Sequence, residues 1–181
     1  MAIQRVRSKW AKTNVLLRSE QLREYIPVTQ KFDFPSLQSL LNRYGMVYVK
    51  PVNGTFGKGV IRVERHSYAN EDTWSYQEGT RRVRCRTLGE LYRKLRLRIR
   101  GRAYLVQQGI ELLRHQNRRF DIRVMVQKNG ADWETTGIIG RLGHPRRIVT
   151  NYHSGGTPMD HRRLMSGLLS DAAQEEFDLK L

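Results

Sequence analysis

The segment that joins two predicted strands constrains the fold more than any other part of this sequence. Residues 46–50 (MVYVK) are rich in β-branched and aromatic side chains and predict one strand, and residues 60–64 predict a second. Between them lie glycines, which let the backbone turn tightly and come close to a ligand. The segment therefore predicts a two-stranded ribbon around a glycine-rich loop. The glycines are Gly54, Gly57 and Gly59.

The remaining sequence mixes helical and extended patterns. Apolar residues at helical spacing predict helices, and alternating β-branched residues predict strands. The predicted helices are 14–25, 35–44, 88–98 and 158–178, the predicted strands are 104–107, 120–127, 133–140 and 148–151, and a hairpin is expected within 66–86. Asn129 and Gly130 predict a tight hairpin turn. This order indicates an α+β fold with a cleft between two lobes.

The chain carries a large excess of positive charge. Its 33 Lys and Arg residues against 17 Asp and Glu residues give a formal net charge of +16. Such a balance attracts polyanions, whether nucleic acid, nucleotides, acidic polymers or anionic membranes. Ten of the basic side chains lie within residues 81–102. They indicate either a phosphate-binding patch or a solvated helix face.

The sequence gives little support to a disulfide-bonded, zinc-binding, secreted or membrane-spanning protein. Cys85 is the single cysteine, so an intrachain disulfide and a cysteine zinc cluster are both excluded. His144, His153 and His161 lack zinc spacing and are expected to be solvated or hydrogen-bonded. No signal peptide is predicted at the start of the chain, and no segment reaches the roughly 20 apolar residues of a membrane span. We therefore expect a soluble intracellular protein.

Lys50 and the glycine-rich loop form the first candidate site. Backbone N–H groups in such a loop can hold phosphates, and a lysine on the adjoining strand adds a point charge. The loop is not a Walker A motif, because Lys58 is followed by Gly59 and not by Ser or Thr, and it lacks the GxGxxG order. The alternative is a glycine-rich hairpin with a solvated Lys58.

Three later segments carry polar groups suited to a ligand. Residues 104–110 (YLVQQGI) are either a strand whose end faces an adenine or an ordinary core strand. Asp121 and Arg123 share one face of a strand, where Arg123 either points at phosphate oxygens or pairs with Asp121. Residues 150–156 (TNYHSGG) indicate either a loop against a ligand or a surface turn.

Taken in this order, the motifs resemble an ATP-grasp protein. The amino-acid sequences of residues 108–110 (QGI), 120–129 (FDIRVMVQKN) and the strand at Trp133 are similar to those of the YheC/YheD-like endospore coat-associated branch of this superfamily. The entry segment of the family is matched by Ser8-Lys9-Trp10, Leu16-Leu17 and Ile26-Pro27-Val28-Thr29. The resemblance implies an ATP-grasp-like region at 1–156, with lobes at about 30–100 and 101–156, and a charged helical tail at 157–181.

The resemblance also implies roles for individual residues. Residues expected to bind the nucleotide are Lys9, Lys50, Gly54, Thr55, Gly57, Lys58, Gly59, Gln107, Gln108, Gly109 and Ile110. Arg123 is expected to stabilise charge while a phosphoryl group passes to a carboxylate, after which an amine attacks the acyl phosphate. Residues expected at the phosphate or acceptor site are Asp121, Arg141, Asn151, Gly155 and Gly156.

The sequence departs from the family where magnesium should bind. The family has an Asp-bearing strand and then a Glu-x-Asn segment, and Mg²⁺ requires such oxygen ligands. Neither follows Gly156, and the acidic residues of the tail lack that arrangement, so we expect the second lobe to be incomplete and ligase chemistry to be absent or weak. These acidic residues are Asp160, Asp171, Glu175, Glu176 and Asp178.

Several functional interpretations follow. ATP is the expected ligand and partner, the carboxylate or amine substrate is unspecified, and the location is cytoplasmic or spore-associated. One alternative is a ligase that takes metal ligands from its tail or from another chain. Others are a structural protein of the spore coat that interacts with coat proteins, or a binder of nucleic acid or another polyanion, which is less favoured.

Overall fold

The computed structural model describes residues 6–69 and 71–179, and the chain divides into two compact units, Met1–Glu111 and Leu112–Leu181. The boundary lies after the strand at 104–108, so this strand belongs to the first unit, whereas the sequence placed it in the second lobe. The first five residues, for which no signal peptide was expected, and the last two residues of the predicted tail lie outside the described residues.

The first unit is built on a six-stranded sheet. Its elements are α1 (Lys9–Leu16), α2 (Glu20–Arg23), β1 (Thr29–Lys31), α3 (Phe34–Tyr44), β2 (Met46–Pro51), β3 (Ile61–Tyr68), β4 (Glu71–Glu78), β5 (Arg81–Cys85), α4 (Leu88–Ile99) and β6 (Tyr104–Gln108). The strand order is β1-β6-β2-β3-β4-β5, and every neighbouring pair is antiparallel. The ribbon around the glycine-rich loop is therefore the β2–β3 pair, as predicted.

Capping residues explain where the helices begin. The single helix predicted over 14–25 is wrong, because the side chain of Ser8 accepts the N–H of Ala11 and starts α1 at Lys9. A second, short helix follows with Ser19 at its N-cap position. The other helices of this unit are confirmed. Thr87 caps α4 through the N–H of Glu90.

Both long helices pack on one face of the sheet. Leu37, Leu40 and Leu41 of α3 and Leu91, Leu95 and Ile99 of α4 form one core with the sheet residues Val47, Val49, Ile61, Val63 and Val106. Successive residues of a strand point to opposite faces. The side chains between these core positions, including Tyr48 and Lys50 on β2, therefore lie on the face opposite the helices.

The second unit contains a long hairpin that is completed by the C-terminal residues. Its elements are β7 (Arg114–His115), β8 (Arg118–Asn129), β9 (Asp132–Leu142), a 3-10 turn (Tyr152–Ser154), β10 (Thr157–Met159), α5 (His161–Met165) and α6 (Asp171–Leu179). The sheet order is β10-β9-β8-β7, and Asn129 pairs with Asp132 across the predicted turn. Phe120, Leu142, Leu164 and Met165 form the core.

Two predictions for this unit are wrong. Residues 148–151 are not a strand but an irregular segment that leads into the 3-10 turn. Residues 158–178 are not one helix, because 157–159 pair with β9 and the chain turns at Gly167, with φ of 80°, between α5 and α6. Leu164 packs in the core of the unit, so the region predicted as a tail is part of it. The α+β class is confirmed.

None of the helices in the described part of the chain is long and apolar enough to cross a membrane.

We expect Gly109→Ala to destabilise the first unit and Gly89→Ala to stabilise it. A Cβ at Gly109 would lie 1.9 Å from Met46 Sδ and 2.7 Å from the Met46 carbonyl oxygen. Because backbone cannot easily give way, the loss in unfolding free energy should be about 3 kcal/mol. A Cβ at Gly89 meets only Thr87 Oγ1 at 4.0 Å, and alanine within a helix should add about 0.5–1 kcal/mol. Urea unfolding measures both changes, and an unaffected Gly109→Ala protein would contradict this packing.

Candidate functional site

Lys50 is held on the sheet face opposite the helices by a chain of hydrogen bonds. Its Nζ donates to Gln107 Oε1 at 2.5 Å, and Gln107 Nε2 donates to Thr29 Oγ1 at 2.8 Å. The Thr29 hydroxyl in turn donates to the Pro27 carbonyl oxygen at 2.8 Å. Since each amide or hydroxyl group is fixed by the next, the oxygen of Gln107 faces the lysine and holds it in place. The Lys50 ammonium also lies 5.2 Å from the centre of the Tyr48 ring.

Lys9 fastens the first half of the glycine-rich loop. Its backbone N–H donates to the Val52 carbonyl oxygen at 2.9 Å, which joins the start of α1 to the end of β2. Its Nζ donates to the carbonyl oxygens of Pro51 at 2.9 Å and Gly54 at 3.0 Å. The ammonium group therefore lies under the turn that follows β2.

The two lysines place positive charge close together without a negative partner. Burial, and then the charge of Lys9, lower the pKa of Lys50 from 10.5 to about 8. Burial, and then the charge of Lys12, lower the pKa of Lys9. Within residues 6–69 and 71–179, neither lysine forms an ion pair. Two neighbouring ammonium groups that have no negatively charged partner are suited to bind an anion.

The loop itself has a backbone that favours glycine. Gly57 and Gly59 have φ of 72° and 71°, and Phe56 has φ of 59°, all in the left-handed region. A Cβ at Gly59 would also lie 2.8 Å from the Tyr104 hydroxyl. Thr55 and Lys58 are exposed at the tip. Turns with residues in left-handed conformations form concave anion-binding surfaces, so the loop can close over a phosphate.

The end of β6 lies directly after Gln107, the glutamine of the lysine network. The N–H groups of Gln108 and Gly109 donate to the carbonyl oxygens of Val28 at 2.8 Å and Met46 at 2.9 Å. The side chain of Gln108 accepts the N–H of Val28 at 3.2 Å. Ile110 follows and is 51% exposed. The structure thus brings Lys9, Lys50, Gln107 and the glycine-rich loop together and leaves the side chain of Ile110 exposed after β6.

Arg62 is a further cation on this face that sequence reasoning missed. It lies opposite Tyr48 in the β2–β3 pairing and is 8% exposed. Its Nη2 contacts Glu64 at 2.9 Å and Glu111 at 3.0 Å, whereas its buried Nε has no hydrogen-bond partner in the described part of the chain. The alternation of residues 61–64 could have revealed it, because the core residues Ile61 and Val63 require Arg62 to face away from the core.

Comparison with known proteins assigns the fold. The family model of YheC/D-like ATP-grasp proteins matches residues 2–181. The chain belongs to the YheC/D-like ATP-grasp family. It is 24% identical over 159 residues to the endospore coat-associated protein YheD of Bacillus subtilis (strain 168), an alignment that covers 83% of this chain and 34% of that relative. The chain thus spans about a third of the relative's length. No solved structure matches the sequence significantly.

In the second unit of this ATP-grasp chain, Asp121 pairs with Arg141. Asp121 and Arg141 lie opposite each other on β8 and β9, and Arg141 Nε donates to Asp121 Oδ1 at 2.9 Å while its Nη2 contacts Oδ2. Arg141 Nη2 also contacts the Thr150 hydroxyl at 3.3 Å. The alternative in which Asp121 pairs with Arg123 is therefore wrong. Arg123 is exposed opposite Ile139, and its expected part in phosphoryl transfer stays a prediction.

The segment 150–156 of the second unit is held by its own backbone. The Asn151 carbonyl oxygen accepts the N–H of Ser154 at 2.8 Å and of Gly156 at 3.1 Å. Gly155 has φ of 77°, and a Cβ at Gly156 would lie 2.0 Å from the Thr150 carbonyl oxygen. These glycines are required by the turn itself.

ATP-grasp proteins generally use Mg²⁺, so the family implies a cluster of metal ligands. Among the described residues, no group of three or more His, Cys, Asp or Glu side chains could hold a metal ion. Asp178 is bound to His161 at 2.9 Å and to Arg162 at 2.6 Å. The described carboxylates therefore do not fit a protein-held magnesium site.

We expect the stability of the protein to rise with pH in a way that depends on Lys50. The folded state loses the Lys50 proton at a pKa of about 8, whereas the ordinary value is 10.5. Between these values the unfolded state binds more protons, so the free energy of unfolding increases as pH rises. Between pH 7 and 9.5, the wild type should gain about 1–2 kcal/mol relative to Lys50→Met. Lys58→Met, which removes a charge from the exposed loop, is the control and should follow the wild type in urea unfolding at both pH values. Parallel curves for wild type and Lys50→Met would contradict the assigned electrostatics.

Proposed function

We propose that this chain binds ATP on the first unit, with the phosphates on Lys9, Lys50 and the glycine-rich loop. The observation that carries the proposal is the pair of ammonium groups without a carboxylate partner. A polyphosphate supplies the missing negative charge, and charge-assisted hydrogen bonds to it are stronger than neutral ones. A bound phosphate would also offset the burial and the repulsion from Lys9 that together lower the pKa of Lys50.

The loop and the residues after β6 supply the remaining contacts of the proposal. Gly54, Gly57 and Gly59 give the backbone close access to phosphate oxygens, and Thr55 and Lys58 lie at the tip from which they can reach the same group. The exposed side chain of Ile110 offers an apolar surface to the base. The side chain of Gln107 acts through Lys50 and not through the base, because its oxygen is already bound to the ammonium group.

We limit the proposal to binding and do not include turnover by this chain alone. The bound nucleotide would supply a terminal phosphoryl group for activation of a carboxylate. Among the described residues no group of three or more His, Cys, Asp or Glu side chains could hold a metal ion, so we propose no transfer step. Because the relative is described as endospore coat-associated, we extend the proposal to a nucleotide-binding protein associated with the spore coat.

A second candidate is polyanion binding by the basic edge of the first unit. Arg81, Arg82, Arg84 and Arg86 are exposed along the edge strand β5 and its end. Only three of the ten basic side chains between 81 and 102 form ion pairs within the described residues. Binding of a polyanion there should weaken steeply with salt, whereas ATP binding should depend on Lys50.

Calorimetric titration with ATP, with and without Mg²⁺, tests the proposal. We expect saturable binding that Lys50→Met weakens by about tenfold to a hundredfold, because the variant keeps the apolar stem and loses the charge. Lys128→Met, which removes the same charge from the exposed end of β8, should bind like the wild type. Equal affinities for the wild type and Lys50→Met would refute the site.

The affinity for ATP should also fall as pH rises through about 8. The phosphates favour the protonated form of Lys50. The affinity for ATP is therefore highest below the Lys50 pKa of about 8 and decreases above it. The decrease should approach about tenfold per pH unit and should be absent in Lys50→Met. The same titrations at pH 7, 8 and 9 measure it.

A further inference from the structure

A separate cavity of about 420 Å³ lies in the first unit beside the start of α1, the end of β1, the end of α4 and the start of β6. Lys50 and Gln107 do not line it. Its volume is within the range of roughly 300–1,000 Å³ typical of small-molecule sites. The cavity is therefore large enough for an organic ligand and is distinct from the lysine network.

Most of the cavity wall is apolar and partly aromatic. Five of the lining residues are apolar or aromatic: Trp10, Phe32, Val52, Ile99 and Leu105. Phe32 is held in place by stacking on Tyr92, with ring centres 5.5 Å apart. A pre-formed apolar wall of this kind favours a ligand with an aromatic or aliphatic body, because binding removes apolar surface from water.

The charged residues of the cavity lining are all cationic. They are Lys31, Arg96 and Arg102, and none of the described lining residues is an Asp or Glu. Arg102 is oriented by its own contacts, with Nη2 donating to the Tyr104 hydroxyl at 3.1 Å. Lys31 and Arg96 are exposed and form no ion pair within residues 6–69 and 71–179.

We propose that this cavity binds a small aromatic monocarboxylate. The apolar wall takes the ring, and the guanidinium groups of Arg96 and Arg102, with Lys31, take the carboxylate. A planar guanidinium matches a carboxylate in a bidentate geometry. A highly charged ligand such as a nucleotide is less suited, because most of the wall offers its charge no hydrogen-bond partner.

The cavity is joined to the lysine network through the backbone. Ser8 and Trp10, which line it, are the sequence neighbours of Lys9, and Val52 follows the residue whose carbonyl oxygen Lys9 Nζ holds. The Val52 carbonyl oxygen also accepts the Lys9 N–H at 2.9 Å. A ligand in the cavity would therefore contact the sequence neighbours of Lys9 and of Pro51, two residues joined by the Lys9 hydrogen bonds that hold the glycine-rich loop.

Binding of 2-naphthoate to the purified chain, in the absence of nucleotide, tests the proposal by calorimetry and does not depend on whether ATP binds. We expect saturable binding that the double variant Lys31→Gln/Arg96→Gln weakens by about tenfold or more, because two charge-assisted contacts are removed. The double variant Arg43→Gln/Arg93→Gln is the matched control, since it removes the same charge from exposed helix positions outside the cavity. The control should bind like the wild type, and the neutral isostere 2-naphthalenemethanol should bind more weakly than 2-naphthoate.

A blocking variant tests the location independently of charge. Ala103 is an exposed lining residue, so Ala103→Trp should fill the cavity and abolish naphthoate binding while circular dichroism shows a folded chain. Lack of saturable binding to the wild type would overturn the proposal. Equal weakening in the two double variants would also overturn it, because the attraction would then come from the general positive charge of the surface.

Discussion

The antiparallel pairing of β2 with β6 is the constraint on which the candidate site depends. It sets Tyr48 opposite Gln107 and Lys50 opposite Leu105, and β1 extends the same register by placing Thr29 opposite Gln107. The lysine, the glutamine and the threonine therefore meet on one face without any special backbone geometry. A shift of one residue would turn Lys50 into the core and Val49 out of it. The helices enforce the register, because Val47 and Val49 are buried against α3 and α4.

Local patterns were sufficient to predict much of the fold. The strand at β2, the helices α3 and α4, and the Asn129-Gly130 turn each depend on a few adjacent residues whose conformational preferences agree with their packing. The bounds of helix α1 were missed because its start is set by the Ser8 cap, while Val15 and Leu16 at its end and Leu17 after it stay exposed. Apolar spacing is informative only where the apolar face is buried.

The site was only partly predictable because its decisive contacts are distant in sequence. The residues Lys50, Gly57 and Gly59 follow from a local motif, whereas the Lys9 bonds to Pro51 and Gly54 join residues more than 40 positions apart. The pairing of Asp121 with Arg141 likewise depends on the register of the β8–β9 hairpin, with a bulge between Met125 and Val126. Alternation along β8 placed Asp121 and Arg123 on one face, but the closer arginine came from the opposite strand.

The positive charges of the candidate site differ in burial from those that keep the surface of the chain solvated. The arginines of β5 are exposed on an edge strand, where like charges discourage pairing with another strand and cost little in water. Lys50 is different, because its depressed pKa shows that the folded state holds a cation at a cost. The buried Nε of Arg62 on the same face is a second local conflict that the fold tolerates. Local conflicts of this kind are expected at functional or strained sites, and both residues lie on the same face of the sheet. The net charge of +16 alone therefore does not mark the site. The proposed site is instead distinguished by Lys50 and Lys9, which are partly withdrawn from water and have no carboxylate partner in the described part of the chain.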